Sequence, residues 1–209
     1  GRGSVGRRVL RPTAAVLELQ RAKHLDHRAE LVAVDLATFV PLAQLGQRVL
    51  IVDLDPQANA TSSLGVDKNT VSGSTYEALL GSLPPDGLPL HNERLGLSIL
   101  PSSPALAGAE VELVNELARE TRLKVAMNQL DGRYDYILID CPPSLGLLTV
   151  NGLVAARDGV VIPVQCEYLA LEGLGQLTQT INRVRAALFP DLKVRGVVLT
   201  MFDPRTNLA

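Results

Sequence analysis

The sequence predicts an α/β fold, a mostly parallel sheet with helices on both faces. From about Ala33 onward, short apolar runs alternate with amphipathic stretches, the texture of a parallel sheet covered by helices. Two of those runs end in acids, RVLIVDLD at 48–55 and YDYILID at 134–140, so carboxylates arrive at the carboxyl edge of buried strands, where an open parallel sheet keeps its ligands. A hydrophobic content of 46% over 209 residues is ample for one continuous core.

Strands are expected at 48–53, 97–100, 134–140, 159–164 and 194–200, because each is apolar and stops at an acid, a proline or a polar loop. Helices are expected at 34–45, 75–80, 109–130, 145–156 and 171–188. In the third of these, Val111, Val114, Leu117, Leu123 and Met127 recur at helical spacing while Glu112, Glu116, Arg119, Glu120 and Lys124 take other faces, which reads as a core or interface stripe. Pro41 falls in the middle of the first predicted helix and is expected to kink it. The segment 81–93, with three prolines and two glycines, reads as a surface connection. Residues 1–32 differ in character, being arginine-rich and holding two of the three histidines; they read as an atypical N-terminal segment ahead of the 33–209 domain.

Composition excludes several classes of function. A formal charge of −2 gives no global polycation, so any contact with DNA has to be local. Cys141 and Cys166 stand far apart and in no CxxC spacing, which argues against a disulfide framework or a zinc site and fits a reducing cytoplasm. No apolar run reaches the length of a membrane span, and the N-terminus lacks the apolar core of a signal peptide. The expectation is a soluble intracellular protein with no membrane partner.

Asp140, directly after an apolar run, has the Walker B arrangement, in which a carboxylate orders a water on Mg²⁺. An aspartate in that place also serves to cap the following helix or to close a turn. The order of four segments is more specific: VDLDPQANATSSLG, then YDYILIDCPPSLGLLTVNGLVAA, then VIPVQCEYLALEGLGQL, then GVVLTMFDPRTNLA. Together they resemble the ParA/Soj partition ATPases, MinD-like members of the P-loop NTPases, from about Ala33 to Ala209.

The resemblance implies roles position by position. Asp55 matches the switch I aspartate that positions the attacking water, the alternative being a simple cap of the Pro56 turn. Asp53 falls where the family places an acid near the phosphates and Mg²⁺. Asp140 matches the Walker B aspartate, holding Mg²⁺ through water, and Pro142, Pro143 and Ser144 match the switch II loop. Gln165, Glu167 and 169–173 resemble the stretch that shapes a nucleotide-dependent dimer. Met201 and Asp203 lie where the class contacts the base, and Arg205 matches an arginine that contributes to DNA binding, the alternative being solvated surface. The implied cofactors are ATP and Mg²⁺. The implied partners are a second copy of the chain, a ParB-type protein and non-specific nucleoid DNA, in the cytoplasm.

The chain also departs from the family pattern. No GxxxxGK[ST] loop occurs in it; where the family has KGGVGKTT, the residues before Val34 read AKHLDHRAELVA. The nearest remnant is RGSVGRR at 2–8, in which arginines replace compact lysine charges and the Mg²⁺-binding threonine is lost. Arg157 is an extra residue relative to the family, and the sequence stops just after the base-contact segment, which reads as a fold truncated at its C-terminus. The expectation is therefore a partition-type ATPase with little or no turnover, or a ParA-like fragment that has lost nucleotide binding. Cobyrinate amidation by a related P-loop synthase is a weaker reading, because VQCEYLALEGL and TMFDPRTNL favour partition proteins. A nitrogenase-type iron protein is disfavoured, because the two cysteines offer no cluster-ligand pattern.

Overall fold

In the computed structural model the described residues are 30–32, 40–165 and 170–200. Strand β2 (Val49–Asp53) is the centre of the fold, with all five residues buried; a strand of Val, Leu and Ile that meets packing on both faces has no need of polar alternation. It runs parallel to β4 (Leu97–Leu100) on one side and to β5 (Tyr136–Asp140) on the other. Strand β1 (Glu30–Val32) adds in parallel to β5, and β3 (Leu90–Asn92) adds antiparallel to β4, giving the order β1-β5-β2-β4-β3. Among the described residues the sheet thus begins at Glu30, within the segment that the sequence marks as atypical.

Helices cover both faces, as predicted. On one face Val49, Ile51, Leu97, Ile99, Tyr136 and Leu138 pack with Leu42 of α1 (Val40–Gln44), with Ala60 of α2 (Asn59–Ser63) and with Leu64. On the other, Leu50, Val52, Leu100, Ile137 and Ile139 pack against α3 (Thr75–Leu80), α4 (Leu106–Glu112), α5 (Arg122–Asn128) and α6 (Leu147–Ala155). Each fully buried leucine or isoleucine stabilises the fold by roughly 1.5–3 kcal/mol relative to exposure. A third cluster joins Leu153 and Val154 of α6 to Ile162 and Val164 of β6 (Val160–Gln165) and to Ile181 and Val184 of α7 (Ala170–Ala187). Strands β6 and β7 (Val194–Thr200) pair in parallel as a separate two-stranded sheet.

Two expectations need correction. The single helix expected over 109–130 is broken: α4 ends at Glu112, tight 3₁₀ turns occupy Leu113–Asn115 and Arg119–Thr121, and α5 starts at Arg122. Ala118 takes a left-handed conformation (φ 54°) at the break, and the buried amide of Asn151 on α6 receives the Leu123 N–H that the break leaves without a helical partner. The predicted stripe consequently splits: Leu123 and Met127 are in the core, whereas Val111 is 76% and Leu117 90% exposed. The segment 81–93 holds a 3₁₀ turn (Pro85–Gly87) and the short edge strand β3, which no local pattern announced. Pro41 is the second described residue of α1, so the kink expected there falls at the edge of the described residues. Residues 33–39, the rest of that predicted helix, lie outside the described residues.

Candidate functional site at the acid-tipped sheet edge

The start of β2 is tied to the segment before β5 by a two-way clasp. Asp135 N–H donates to the Arg48 carbonyl at 2.8 Å, Arg48 N–H donates to Asp135 Oδ2 at 2.8 Å, and the Arg48 guanidinium pairs with Asp135 Oδ1 at 2.9 Å. The register that follows sets Val49 beside Tyr136 and, at the carboxyl end, Asp53 beside Asp140. Because side chains alternate along a strand, both acids point to the face of Val49, Ile51, Tyr136 and Leu138. Leu54 N–H continues the ladder to the Asp140 carbonyl at 2.8 Å, so the chain leaves the sheet only after both carboxylates have been delivered.

The carboxylate of Asp53 is fully buried and already enclosed by donors. Oδ1 accepts the Asp55 N–H at 3.1 Å, and Oδ2 accepts both the N–H of Thr61 at 2.8 Å and its hydroxyl at 2.6 Å. Burial pushes this carboxyl above the usual range; the Thr61 and Asp55 bonds pull the other way, and the Asp55 charge adds to the rise. Asp55 follows in a tight turn: its Oδ1 accepts the Gln57 N–H at 2.9 Å and its carbonyl accepts the Ala58 N–H at 2.9 Å. Ala58 closes that turn in a left-handed conformation (φ 56°), strain of the kind that is stored at functional loops. The turn-capping role foreseen as the alternative for Asp55 is thus present, and it occupies one oxygen, Oδ1, of a buried carboxylate.

Residues 141–146 form the loop after Asp140. Pro142 is buried and Pro143 and Ser144 are exposed. Thr149, in the first turn of α6, holds the loop from beneath, its hydroxyl lying 3.3 Å from the Pro142 carbonyl and bonded to the Ser144 carbonyl. Glu110 of α4 caps the same helix, accepting the Leu148 N–H at 3.2 Å. Cys141 is pressed against Gly152; desolvation and the nearby Asp140 and Asp55 charges push its thiol up to about 12.

The structure therefore brings Asp53, Asp55, Asp140 and Pro142 to one edge. Met201, Asp203, Arg205, Glu167 and the RGSVGRR segment lie outside the described residues, as does the stretch immediately before α1. Among the described residues no three His, Cys, Asp or Glu side chains gather into a metal cage. The donor set suits Mg²⁺, which is bound through one or two carboxylates with waters and phosphate oxygens completing its shell. Sequence reasoning missed Thr61 and Thr149, which fix the two loops. A hydroxyl in the first turn of a helix following each acid-tipped strand was the signal available. Among the described residues no helix is long and apolar enough to cross a membrane.

Residues 31–194 match the family described as AAA domain. The chromosome partitioning protein ParA of Myxococcus xanthus is 55% identical over 168 residues, which is 80% of this chain and 59% of the relative. The sporulation initiation inhibitor protein Soj of Bacillus subtilis is 52% identical over 167 residues, 80% of this chain and 66% of the relative. The chain thus spans less than two thirds of the length of either. Among solved structures, the cobyrinic acid a,c-diamide synthase of Mycobacterium smegmatis with bound ADP and magnesium superposes with a TM-score of 0.81 at 42% identity, covering 85% of this chain and 77% of that one. With a match of this strength running through both acid-tipped strands and the loops that follow them, the chain belongs to the ParA/Soj family of AAA-domain proteins.

Proposed function

We propose that the chain works as a partition-type ATPase: it binds ATP and Mg²⁺, pairs with a second copy in a nucleotide-dependent way, contacts DNA without sequence preference and responds to a ParB-type partner. The observation that supports this reading best is the register of Asp53 and Asp140, with Asp55 in the adjoining turn. Phosphoryl transfer is mainly a matter of positioning and charge neutralisation. Asp140 is suited to hold Mg²⁺ through water, and Asp55, with one oxygen committed to its own turn, is suited to orient an attacking water with the other. Pro142 lies in the loop that would sense the terminal phosphate. Met201 and Asp203 are assigned to the base and Arg205 to DNA. Cobyrinate amidation remains the weaker alternative, since the more similar relatives are partition proteins.

A second reading has its own support. The chain has no GxxxxGK[ST] loop, so the cradle of N–H groups and lysine that phosphates require is missing from its sequence. On that reading the protein keeps the fold and an interaction surface but hydrolyses nothing. Calorimetry with MgATP on the full chain separates the two. Micromolar binding that depends on magnesium, with turnover abolished in Asp55→Ala, supports the ATPase. Absence of binding in a folded protein sinks it and leaves the non-catalytic reading. Binding with turnover unchanged in Asp55→Ala removes the role given to that residue. In DNA titrations Arg205→Ala is expected to weaken affinity for all sequences alike and to flatten the salt dependence.

A further inference from the structure

We infer that Thr61 is a positioning residue for the Asp55 turn, acting through Asp53 and tying that turn to the end of strand β4. The inference rests on the reading of Asp55 as the residue that orients water.

Thr61 is completely buried, and both of its polar groups are used. Its N–H and its hydroxyl converge on one oxygen of Asp53, and the same hydroxyl accepts the Ser102 N–H at 2.9 Å from the segment that follows β4. The other oxygen of Asp53 holds the Asp55 N–H at 3.1 Å. The chain of bonds therefore runs Ser102, Thr61, Asp53, Asp55, and it ends on the backbone that carries the candidate water-orienting carboxylate. A second tie comes from Thr75, whose hydroxyl donates to the Asp53 carbonyl at 2.8 Å while its N–H donates to the Pro101 carbonyl at 2.8 Å. The ends of β2 and β4 are thus laced together twice, once through the side chain of Asp53 and once through its backbone.

This arrangement changes the part expected of Asp53. A carboxylate already receiving three donors from within its own loop has little left to offer a cation, whereas it is well placed to fix the position of Asp55. The hydroxyl of Thr61 is the element that a substitution can remove cleanly. Valine keeps its shape and loses the hydrogen bonds; serine keeps the hydroxyl and loses a methyl. The Ser102 hydroxyl, also buried, has no hydrogen-bond partner among the described residues, so the backbone N–H is the group through which Ser102 enters the chain of bonds.

The test compares Thr61→Val, Thr61→Ser and the exposed control Thr178→Val in the full chain. Amide exchange at Asp55 and Ser102, MgATP affinity and turnover are measured for each. A misplaced reacting group costs up to about 100-fold in rate, so Thr61→Val is expected to lower kcat by roughly 10–100-fold with MgATP affinity within about twofold of the parent. Thr61→Ser should restore most of the rate. Asp55 and Ser102 amides should exchange faster in Thr61→Val while those of Leu50 to Val52 stay protected. Equal turnover in Thr61→Val and Thr61→Ser overturns the inference, and so does a parallel loss of affinity and rate, which a merely structural role would produce. If the parent binds no MgATP, the ATPase reading fails by itself; unchanged Asp55 exchange in Thr61→Val then overturns the positioning role independently. Should Thr61→Val not fold, Thr61→Ala, which leaves room for a bridging water, is read by the same criteria.

Discussion

Asp53 and Asp140 stand side by side at the carboxyl ends of two adjacent parallel strands, and the Arg48–Asp135 clasp near the other end of those strands fixes the register that puts them there. A slip of one residue would turn the whole apolar set of β2 to the wrong face, so the register of the core and the register of the acids are one constraint. The two carboxylates differ in surroundings. Asp53 is sealed under Thr61, while Asp140 is partly exposed at the mouth of the 141–146 loop.

That burial gives Asp53 a pH signature. Its carboxyl is raised in the folded chain above the ordinary 3.8, with burial as the leading cause. Between those two values the folded state binds more protons than the unfolded state, so this group's contribution to stability is greatest below the unfolded value and declines as pH rises through the folded one. Asp53→Asn has nothing to titrate, and it turns an amide N–H toward the Thr61 donors. The variant should be less stable throughout, by an amount that shrinks as pH rises from about 3.5 to 7. Urea unfolding of both proteins across that range measures the gap. A gap that widens with pH would mean that the Thr61 and Asp55 bonds outweigh burial.

Two glycines of similar sequence context should respond in opposite directions. A methyl at Gly152 would collide with Cys141 Sγ and meet Leu54 Cδ2 at 3.4 Å, and both neighbours are packed in the cluster under β5. Overpacking of this kind costs about 1–3 kcal/mol, and Gly152→Ala should be destabilised accordingly. Gly175, exposed within α7, has nothing near its would-be Cβ. Gly175→Ala should gain about 0.5–1 kcal/mol from helix propensity alone. Thermal melts of the two variants beside the parent decide both.

Cys141 should be inert. A thiol held at about 12 presents only about one thiolate in ten thousand at pH 8, and the sulfur is packed against Gly152. In a Cys166→Ser background, maleimide labelling of the folded protein at pH 8 should take hours or longer and reach completion in minutes in denaturant. Rapid labelling of the folded protein would show that the loop after Asp140 opens far enough to expose its first residue.

How much of this was legible in the sequence depended on how local the cause was. Strands β2 and β5 were readable because a buried parallel strand declares itself by an unbroken apolar run with a polar stop, and the acids that tip them were readable for the same reason. Strands β4, β6 and β7 were readable from apolar runs broken only by Ser98, Pro163, Arg195 and Gly196. The break in the 109–130 helix was not, since the sequence there has good helical periodicity and the deciding group, Asn151, lies on another helix. Thr61 was missed in the same way. Its partners Asp53 and Ser102 come from two strand ends that only the sheet brings together, and a hydroxyl in the helix after an acid-tipped strand points to NATSS without choosing among Thr61, Ser62 and Ser63. The fold and the acids were therefore local information, and the bonds that hold the acids in place were not.

Asn151 shows what such a non-local bond is worth. Its side chain is fully buried on α6; Oδ1 accepts the Leu123 N–H at 3.1 Å, and Nδ2 donates to the Arg119 carbonyl at 2.9 Å and to the Leu147 carbonyl at 3.0 Å. It therefore caps α5 from another helix and closes the break at Ala118, while α4 returns the favour by capping α6 through Glu110. Asn151→Leu keeps the volume, leaves the buried Leu123 N–H without its acceptor and takes the donor from the half-buried Arg119 carbonyl. Each such group costs about 1–3 kcal/mol, so a loss of roughly 2–4 kcal/mol is expected. Asn151→Asp retains the acceptor for Leu123 but gives up both donor bonds and buries a charge, so it should be no milder. The loss should be local before it is global: amides of 119–128 should exchange faster in native buffer than those of β2 and β5, because α5 is the element that loses its cap. Uniform acceleration across the sheet would instead mean that Asn151 supports the whole core and not the helix it caps.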